Sequence, residues 1–289
     1  MPELPEVETV RRGLERLLPG RVVASATHDT AKSFPNAPAA VADFLVGAAV
    51  QTVRRRAKVL MIDLSTAYSL VIHLKMTGQL VFRDGSVRFG AGHPSGSLVG
   101  DLPDRSTRVV LTFADGSQLF FNDQRKFGWM RLMPTAGVPD MDFFRKVGPE
   151  PLGADFSWQQ LRGRLHRRSN TGIKAALLDQ TVVAGVGNIY ADESLWGAGI
   201  HPRTLVRDIP DAKLQALHAA LRTILLLSIE KGGSTDKNYV DAEGRRGSYL
   251  NFARVFRREG QPCPRCGTKI IKTKVAGRGT HLCPRCQQV

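Results

Sequence analysis

Four cysteines lie close together near the end of the chain, and thiolates at this spacing can bind a metal ion. Cys263 and Cys266 form one C-x2-C pair, and sixteen residues separate it from a second pair, Cys283 and Cys286. Each pair can turn two sulfur atoms toward one ion, which predicts a tetrahedral zinc site. Because four thiolates complete the coordination shell, we expect one structural Zn²⁺. Two redox-active pairs are the alternative, but no thioredoxin-like strand–helix pattern surrounds them.

The segment that carries these cysteines is strongly basic. From residue 244 to residue 289 it contains eleven Lys and Arg residues and one acid, Glu259. The alternation over Lys269–Val275, followed by Gly277 and Gly279, predicts a β-hairpin with Arg278 at its tip. An arginine between glycines can approach a phosphate closely. The alternative is a solvated hairpin whose charge only aids solubility.

The charge of the whole chain points to a polyanionic partner. The sequence has 41 Lys and Arg residues against 26 Asp and Glu residues, a formal net charge of +15. Such a field attracts polyanions, which favours nucleic-acid binding over the alternative of a ribosome-associated or merely basic protein. Clustered cysteines argue against a secreted disulfide protein. We expect a cytoplasmic protein without a membrane partner, because no apolar run has the length of a membrane span and no signal-peptide pattern opens the chain.

The elements that must position these residues differ between the two halves of the chain. A helix is predicted over residues 2–18, and Asp-Gly pairs at 84–85 and 115–116 predict hairpins among short strands. Residues 90–104 predict a mobile loop. A helix over residues 211–231 has its leucines on one face, and residues 233–250 predict a loop. The predicted strands are Val59–Leu64, Ser69–Leu74, Gln79–Arg83, Val109–Phe113 and Gln118–Asn122.

Three stretches of the chain resemble formamidopyrimidine-DNA glycosylases. They are MPELPEVETVRRGL at residues 1–14, GVGNIYADES at residues 185–194 and GRGTHLCPRCQ at residues 277–287. The resemblance spans nearly the whole chain and includes Arg55–Val59, His73–Gly78 and Gly148–Leu152. It implies a bifunctional enzyme of base-excision repair, a glycosylase and abasic-site lyase that acts on 8-oxoguanine and formamidopyrimidines in double-stranded DNA.

The resemblance also implies an α+β fold in four segments. An N-terminal helix and a β-sandwich form a catalytic domain over residues 1–135, and a linker follows over residues 136–150. Residues 151–243 form a helical domain with a helix–two-turns–helix element and a loop, from about residue 232 to residue 249, that closes over the damaged base. Residues 244–289 form the zinc finger with its β-hairpin. We expect the protein to act as a monomer associated with the nucleoid.

The second residue can act as a nucleophile once Met1 is removed, because Pro2 then presents a secondary amine. Attack on the sugar C1′ displaces the base and gives an iminium ion, which is an electron sink for β- and δ-elimination. By the resemblance, Glu3 is the acid/base that protonates the sugar ring oxygen. Glu6 lies one helical turn further on and is expected to support the site through hydrogen bonds.

The remaining site residues are implied by the resemblance to contact DNA. Lys58 belongs to the catalytic site and reaches a phosphate beside the lesion, which Asn188 and Arg278 also hold. The other DNA-binding residues are His73 and Lys174. Three residues, Met76, Arg125 and Phe127, resemble an intercalating set that fills the gap left by an extruded nucleotide. Within that set Arg125 would hydrogen-bond the orphaned cytosine.

Two stretches depart from the family pattern. The DPRRFG motif of the family is here Asp123–Gly128, with Gln124 in place of Pro and Lys126 in place of Arg. A bidentate arginine contact with phosphate is thereby replaced by the single ammonium group of a lysine. The KH-x-H of the family is here replaced within Asp104–Arg108, which leaves the local structure open.

Two other functions remain open at this point. A family that resembles endonuclease VIII acts on oxidised pyrimidines and shares the proline, the helical element and the finger. Leu4 and the intercalating set favour the purine enzyme. A non-catalytic zinc-ribbon protein would bind DNA with the same salt sensitivity but would not need Pro2, Glu3 and Glu6.

Overall fold

The computed structural model describes residues 2–85, 87–93, 95–234 and 249–288. The chain divides into two compact units. The first, called the sandwich unit, comprises residues 1–145 and 231–248, and the second, called the helical unit, comprises residues 146–230 and 249–289. The predicted lesion-capping loop falls mostly on residues 235–248, which lie outside the described residues.

The sandwich unit begins with a helix and continues with two sheets. Its helices are α1 (Leu4–Leu17), α2 (Pro38–Phe44) and α3 (Asp142–Lys146), the last of which ends at the unit boundary. Its strands are β1 (Val23–His28), β2 (Val50–Arg56), β3 (Val59–Leu64), β4 (Tyr68–His73), β5 (Gly78–Asp84), β6 (Val87–Gly92), β7 (Thr107–Phe113), β8 (Gln118–Asp123) and β9 (Trp129–Pro134).

The strands form two antiparallel sheets that share one core. One sheet has the order β1-β7-β8-β5-β6 and the other the order β2-β3-β4-β9. Alternate side chains of both sheets, such as Leu60, Ile72, Phe82 and Phe121, are buried in the same hydrophobic cluster. The short strands and hairpin signals are compatible with a sandwich or a barrel, and this arrangement is the β-sandwich that the family resemblance implies.

Helix α1 packs against the sandwich through an apolar stripe and a glycine. Val7, Val10 and Leu14 are fully buried at helical spacing. A Cβ atom on Gly13 would lie only 2.0 Å from the Phe89 ring, so the ring occupies the place of a side chain. This close contact holds the helix that begins at the catalytic candidates.

The helical unit combines four helices with a two-stranded hairpin in its described residues. They are α4 (Trp158–His166), α5 (Ile173–Leu178), α6 (Asn188–Ala198), α7 (Asp211–Glu230), β10 (Ile271–Val275) and β11 (Arg278–Leu282). Tyr190, Leu195 and Leu217 are fully buried in its core.

Among the described residues one helix, α7, is long and apolar enough to cross a membrane by length and composition alone, with a mean hydropathy of 1.2. Its leucines at positions 214, 217, 221 and 225 are nevertheless fully buried inside the core of the helical unit. They recur at helical spacing, which is the pattern of a core helix in a globular domain.

Two local predictions differ from the structure. Gly90 and Gly92, predicted as loop, end strand β6, where they pair with Val81 and Gln79. Pairing with a neighbouring strand overrides the weak strand preference of glycine. In the finger hairpin, the turn residues are Ala276 and Gly277, both with positive φ, and Arg278 is the first residue of the returning strand.

Candidate active site and zinc centre

Pro2 and Glu3 are buried at the start of α1. Glu3 is the N-cap residue in a capping box, in which its carboxylate accepts from the backbone N–H of Glu6. The backbone N–H of Glu3 in turn donates to Glu6 Oε2 at 2.8 Å. The two reciprocal bonds fix a carboxylate directly beside the second residue of the chain.

Glu6 also binds the beginning of the predicted capping loop. Its Oε1 accepts from the backbone N–H of Ser234 at 2.7 Å. Gly233, with φ +88°, lies against the same carboxylate, where a Cβ atom would come within 3.1 Å of Oε1. The expected supporting role of Glu6 thus has a specific form, because one side chain bonds both the helix start and residue 234.

Lys58 lies in the two-residue turn between β2 and β3 and is buried. Arg55 supports this turn: its Nη1 donates to the carbonyl of Ala57 at 2.8 Å, and its Nε donates to Glu8 at 3.0 Å. Burial would raise the pKa of Glu8, but hydrogen bonds from Arg11 and Arg55 hold it below its usual value. A charged Glu8 on α1 therefore fixes the arginine that fixes the turn.

His73 is a neutral imidazole at the end of β4. Its Nδ1 accepts from the backbone N–H of Lys75 at 3.0 Å, which leaves Nε2 as the protonated, donating nitrogen. Burial and the charges of Lys75 and Lys58 lower the pKa of His73 to about 3. The ring lies edge-on to Phe143. The predicted DNA contact of His73 is chemically feasible through Nε2–H.

The three residues of the predicted intercalating set lie on two turns of the sandwich unit. Met76 is half-buried in the turn between β4 and β5, whereas Arg125 and Phe127 are exposed between β8 and β9. The Arg125 guanidinium carbon lies 4.8 Å from the centroid of the Phe127 ring, as in a cation–π contact. Phe127 keeps 46% of its surface exposed, which is unusual for a large aromatic side chain.

Asp123, which sequence reasoning missed, organises these two turns. It is fully buried at the end of β8. One carboxylate oxygen accepts from the Thr77 hydroxyl and from the backbone N–H of Arg125. The other accepts from the backbone N–H groups of Phe127 and Gly128. Nothing in the one-dimensional pattern distinguishes this aspartate from a turn residue.

The stretch Asp104–Arg108, which departs from the family pattern, has a defined structure. Arg108 is buried, and its guanidinium donates to the carbonyl of Asp123 at 2.8 Å and to the carbonyl of Arg105 at 2.6 Å. It also pairs with Asp29. Arg108 thus holds the backbone from which the exposed Arg125 and Phe127 project.

In the helical unit, Asn188 and Lys174 converge on the finger hairpin. Asn188 is the first residue of α6, and its Nδ2 donates to the carbonyl of Gly279 at 3.0 Å. The Lys174 ammonium donates to the same carbonyl at 3.2 Å and to the Thr280 hydroxyl at 2.6 Å. It also lies 2.6 Å from Asp192, and both side chains are fully buried. This enclosure favours an indirect role for Lys174, which was predicted to contact DNA.

The four cysteines have the geometry of a tetrahedral zinc site. Their sulfur atoms all lie within 4.8 Å of one another, with one pair at 3.9 Å and another at 3.4 Å. Zn–S bonds of 2.3 Å give a tetrahedral edge of about 3.8 Å, so the sulfurs fit one ion. Burial and the neighbouring thiols raise the pKa of Cys286 to about 12. A bound dication would stabilise the four thiolates and so offset this raised pKa. The four sulfur ligands therefore fit Zn²⁺ and complete its coordination without a water molecule.

Trp196, also missed by sequence reasoning, joins α6 to this centre. Its indole N–H donates to the sulfur of Cys263 at 3.4 Å. The Arg265 guanidinium lies 4.3 Å from the centroid of the indole and donates to the carbonyl of Gly197. An N–H···S bond to a metal-binding thiolate helps to orient that ligand.

Arg278, which was predicted to contact a phosphate, is exposed at the start of β11.

Models of known families match three consecutive parts of the chain. The formamidopyrimidine-DNA glycosylase N-terminal domain matches residues 1–130, and the formamidopyrimidine-DNA glycosylase H2TH domain matches residues 147–239. A zinc finger found in FPG and IleRS matches residues 260–289.

Similar proteins cover the whole chain. Formamidopyrimidine-DNA glycosylase of Desulforamulus reducens is 42% identical over 100% of this chain and 99% of its own length, and that of Herpetosiphon aurantiacus is 43% identical over 99% and 100%. A Lactococcus lactis FPG mutant in complex with Fapy-dG containing DNA superposes with a TM-score of 0.87 at 35% identity. MutM in complex with carbocyclic 8-oxo-G containing DNA superposes with a TM-score of 0.86 at 35% identity. Both structural matches cover 100% of each chain.

Proposed function

Because the chain belongs to the formamidopyrimidine-DNA glycosylase family, we propose that Pro2 is the nucleophile with which it excises 8-oxoguanine and formamidopyrimidines from double-stranded DNA. The protein is a DNA glycosylase of base-excision repair with one structural zinc site. The observation that carries the proposal is the capping box, because it fixes Glu3 and Glu6 beside Pro2 at the start of a buried helix.

The proposed reaction begins when the secondary amine of Pro2, freed by removal of Met1, attacks C1′ of the damaged nucleotide. The N–C1′ bond of the base breaks, the base leaves with the bonding electrons, and it takes up the proton that the Pro2 nitrogen loses as its bond to C1′ forms. Glu3 donates a proton to the ring oxygen O4′, the ring opens and the nitrogen lone pair forms an iminium ion.

The lyase steps follow from the iminium ion. Loss of a C2′ proton and departure of the 3′ phosphate constitute β-elimination, and a second elimination at C4′ releases the 5′ phosphate. Water then hydrolyses the iminium bond, which releases the unsaturated sugar fragment as an aldehyde and returns the amine of Pro2. The capping box supports this role of Glu3 through geometry, because a backbone donor fixes the position of its carboxylate beside Pro2.

The proposed DNA contacts come from both units. Lys58, His73, Asn188 and Arg278 are the proposed donors to phosphates, and counterion release on binding supplies much of the affinity. Lys174 is proposed to act through the finger hairpin, since its ammonium is buried against Asp192. Met76 and Phe127 are proposed to fill the gap left by the extruded nucleotide, and Arg125 to bind the orphaned cytosine.

The proposed working form is a monomer that acts on the chromosome in the cytoplasm. One chain carries every catalytic, phosphate-binding and zinc-binding residue of the proposed site, so the chemistry needs no second copy. The predicted four-segment domain organisation, with boundaries at 135, 150 and 243, is kept as part of this proposal.

The test is strand cleavage of a duplex that carries 8-oxoguanine opposite cytosine, with Met1 removal verified by intact mass. Wild-type protein is expected to leave phosphates on both sides of a one-nucleotide gap. Pro2→Gly is expected to lose most cleavage while it still binds the duplex, and Glu3→Gln to be slower by about 100-fold or more. Pro38→Gly is the matched control, because Pro38 opens the exposed helix α2.

Cleavage by Pro2→Gly at the wild-type rate would contradict the nucleophile assignment. Preferential excision of an oxidised pyrimidine would instead support the endonuclease VIII-like alternative. Binding without any cleavage would support a non-catalytic DNA-binding protein.

A further inference from the structure

The two turns that carry the proposed intercalating residues are joined by one buried hydrogen-bond network. We propose that Asp123 and Thr77 form a clamp that makes the Met76 turn and the loop of Arg125 and Phe127 a single rigid wedge, and that this clamp sets the preference for the base opposite the lesion. The inference rests on the proposed function, since the wedge is defined by its contact with DNA.

Strand register brings the two halves of the clamp together. Gly78, the first residue of β5, pairs with Asp123, the last residue of β8. Thr77 precedes Gly78, so its side chain reaches the carboxylate across the sheet edge although 46 residues separate them. The pairing of β5 with β8 therefore fixes where one turn ends relative to where the other loop begins.

The two carboxylate oxygens of Asp123 accept hydrogen bonds from both turns. Asp123 Oδ1 accepts from the Thr77 hydroxyl and from the N–H of Arg125 at 3.2 Å, and Oδ2 accepts from the N–H groups of Phe127 at 2.8 Å and Gly128 at 2.6 Å. The Thr77 oxygen also accepts from the N–H of Arg125 at 3.1 Å. A fully buried carboxylate with several donors is strongly held, because any lost partner leaves a desolvated acceptor.

The loop needs this support because its backbone is strained. Lys126, between the two exposed intercalating residues, has φ +56°, a conformation that costs a non-glycine residue free energy. At Gly128 a Cβ atom would lie 2.7 Å from the Phe121 ring and 3.1 Å from Asp123 Oδ2. Without the clamp, the loop is expected to relax and Arg125 to lose its fixed position.

Loss of position should affect discrimination between bases more than the chemistry at the lesion. The Arg125 side chain is exposed. In the described part of the chain, its position is set by the hydrogen bonds of its backbone N–H to Thr77 and Asp123 and by the contact of its guanidinium with the Phe127 ring. An arginine distinguishes bases through directed hydrogen bonds, so a shift of its backbone weakens the correct pairing selectively. Glu3, next to Pro2, is held by a separate hydrogen-bond pair, the capping box with Glu6 at the start of α1.

The clamp can be tested by removing one hydroxyl. Thr77→Val keeps the shape of the side chain but cannot donate to Asp123, whereas Thr77→Ser keeps the donor. Thr112→Val is the matched control, since Thr112 lies in β7 of the same sheet and its hydroxyl bonds Gln118. Single-turnover excision of 8-oxoguanine opposite cytosine and opposite adenine gives the discrimination ratio, and 2-aminopurine opposite the lesion reports unstacking in the bound complex.

Thr77→Val is expected to lower the cytosine-over-adenine ratio about tenfold, the effect of one directed base contact, and to weaken the 2-aminopurine signal. Thr77→Ser and Thr112→Val are expected to match the wild type in both measurements. A wild-type ratio and signal in Thr77→Val would overturn the clamp. If Thr77→Val does not fold, Thr77→Ala replaces it under the same criteria. Absence of excision by the wild type would instead refute the proposed function.

Discussion

Individual buried carboxylates in this protein hold the segments that carry the residues proposed to contact DNA. Glu6 bonds the start of α1 and the backbone of Ser234, and Asp123 bonds the loop of Arg125 and Phe127. The exposed residues would cost entropy to order if they stood alone. Their precision therefore depends on side chains that never need to touch the substrate.

His73 gives a pH prediction at this scale. Its pKa is about 3 in the folded protein against about 6.5 for an unfolded chain, so between these values only the unfolded state takes up the proton. The folded state is therefore stabilised above pH 6.5 and loses about 1.4 kcal/mol per pH unit as the pH falls toward 3. Because of His73, the free energy of unfolding of the sandwich unit should be about 2 kcal/mol lower at pH 5 than at pH 7.

Urea unfolding of wild type and His73→Asn at both pH values measures this term. The variant should show the smaller loss of stability on acidification, and the exposed His28→Asn should behave as the wild type does. An identical acid loss in His73→Asn and wild type would mean that His73 is not held neutral.

At the scale of elements, helix α6 links the proposed phosphate site to the zinc centre. Asn188 and Asp192 bond the hairpin backbone at residues 279 and 281, Glu193 accepts from three backbone N–H groups over residues 254–256, and Trp196 bonds Cys263. Burial raises the pKa of Glu193, and the hydrogen bonds from these backbone N–H groups partly offset that rise. One face of one helix thus sets the register of the whole C-terminal segment.

Zinc removal tests this linkage. Chelation is expected to abolish specific DNA binding and leave the sandwich unit folded, because the cysteines hold only the finger. It should also change the fluorescence of Trp196, whose indole N–H loses the Cys263 thiolate as a partner. Circular dichroism, a binding titration and emission spectra follow the three effects.

Trp196→Phe provides the control, since its remaining tryptophans should show no response to the chelator. Full DNA affinity after verified zinc loss would contradict the role of the finger.

The elements show what a sequence can and cannot predict. Strand β3 was predicted from its short apolar run and helix α7 from its leucine stripe, both nearly to the residue because these signals are local, and the spacing of the cysteines identified the zinc site. Asp123, Arg108 and Trp196 escaped notice because their partners depend on strand register and helix packing. Lys174 was expected from the resemblance to contact DNA, and only the fold encloses its ammonium with Asp192.

At the scale of the whole molecule, the chain has a net charge of +15, and both units carry residues proposed to contact DNA. The affinity for duplex DNA should fall steeply with salt, because each neutralised phosphate releases counterions. Arg278→Gln should weaken binding and reduce the slope of log affinity against log salt by about one.

Arg145→Gln is the charge-matched control, since Arg145 is exposed and pairs with Asp142 on α3. Titrations over a series of salt concentrations give both slopes. An unchanged slope for Arg278→Gln would remove this residue from the set of phosphate contacts.

Borohydride reduction during the reaction tests the central claim most directly, because it converts a transient iminium ion into a stable amine. With Met1 removed and a duplex that carries 8-oxoguanine opposite cytosine, the account predicts a covalent protein–DNA product whose modified peptide begins at Pro2. No cross-link under these conditions, or a cross-link at a lysine such as Lys58, would contradict it.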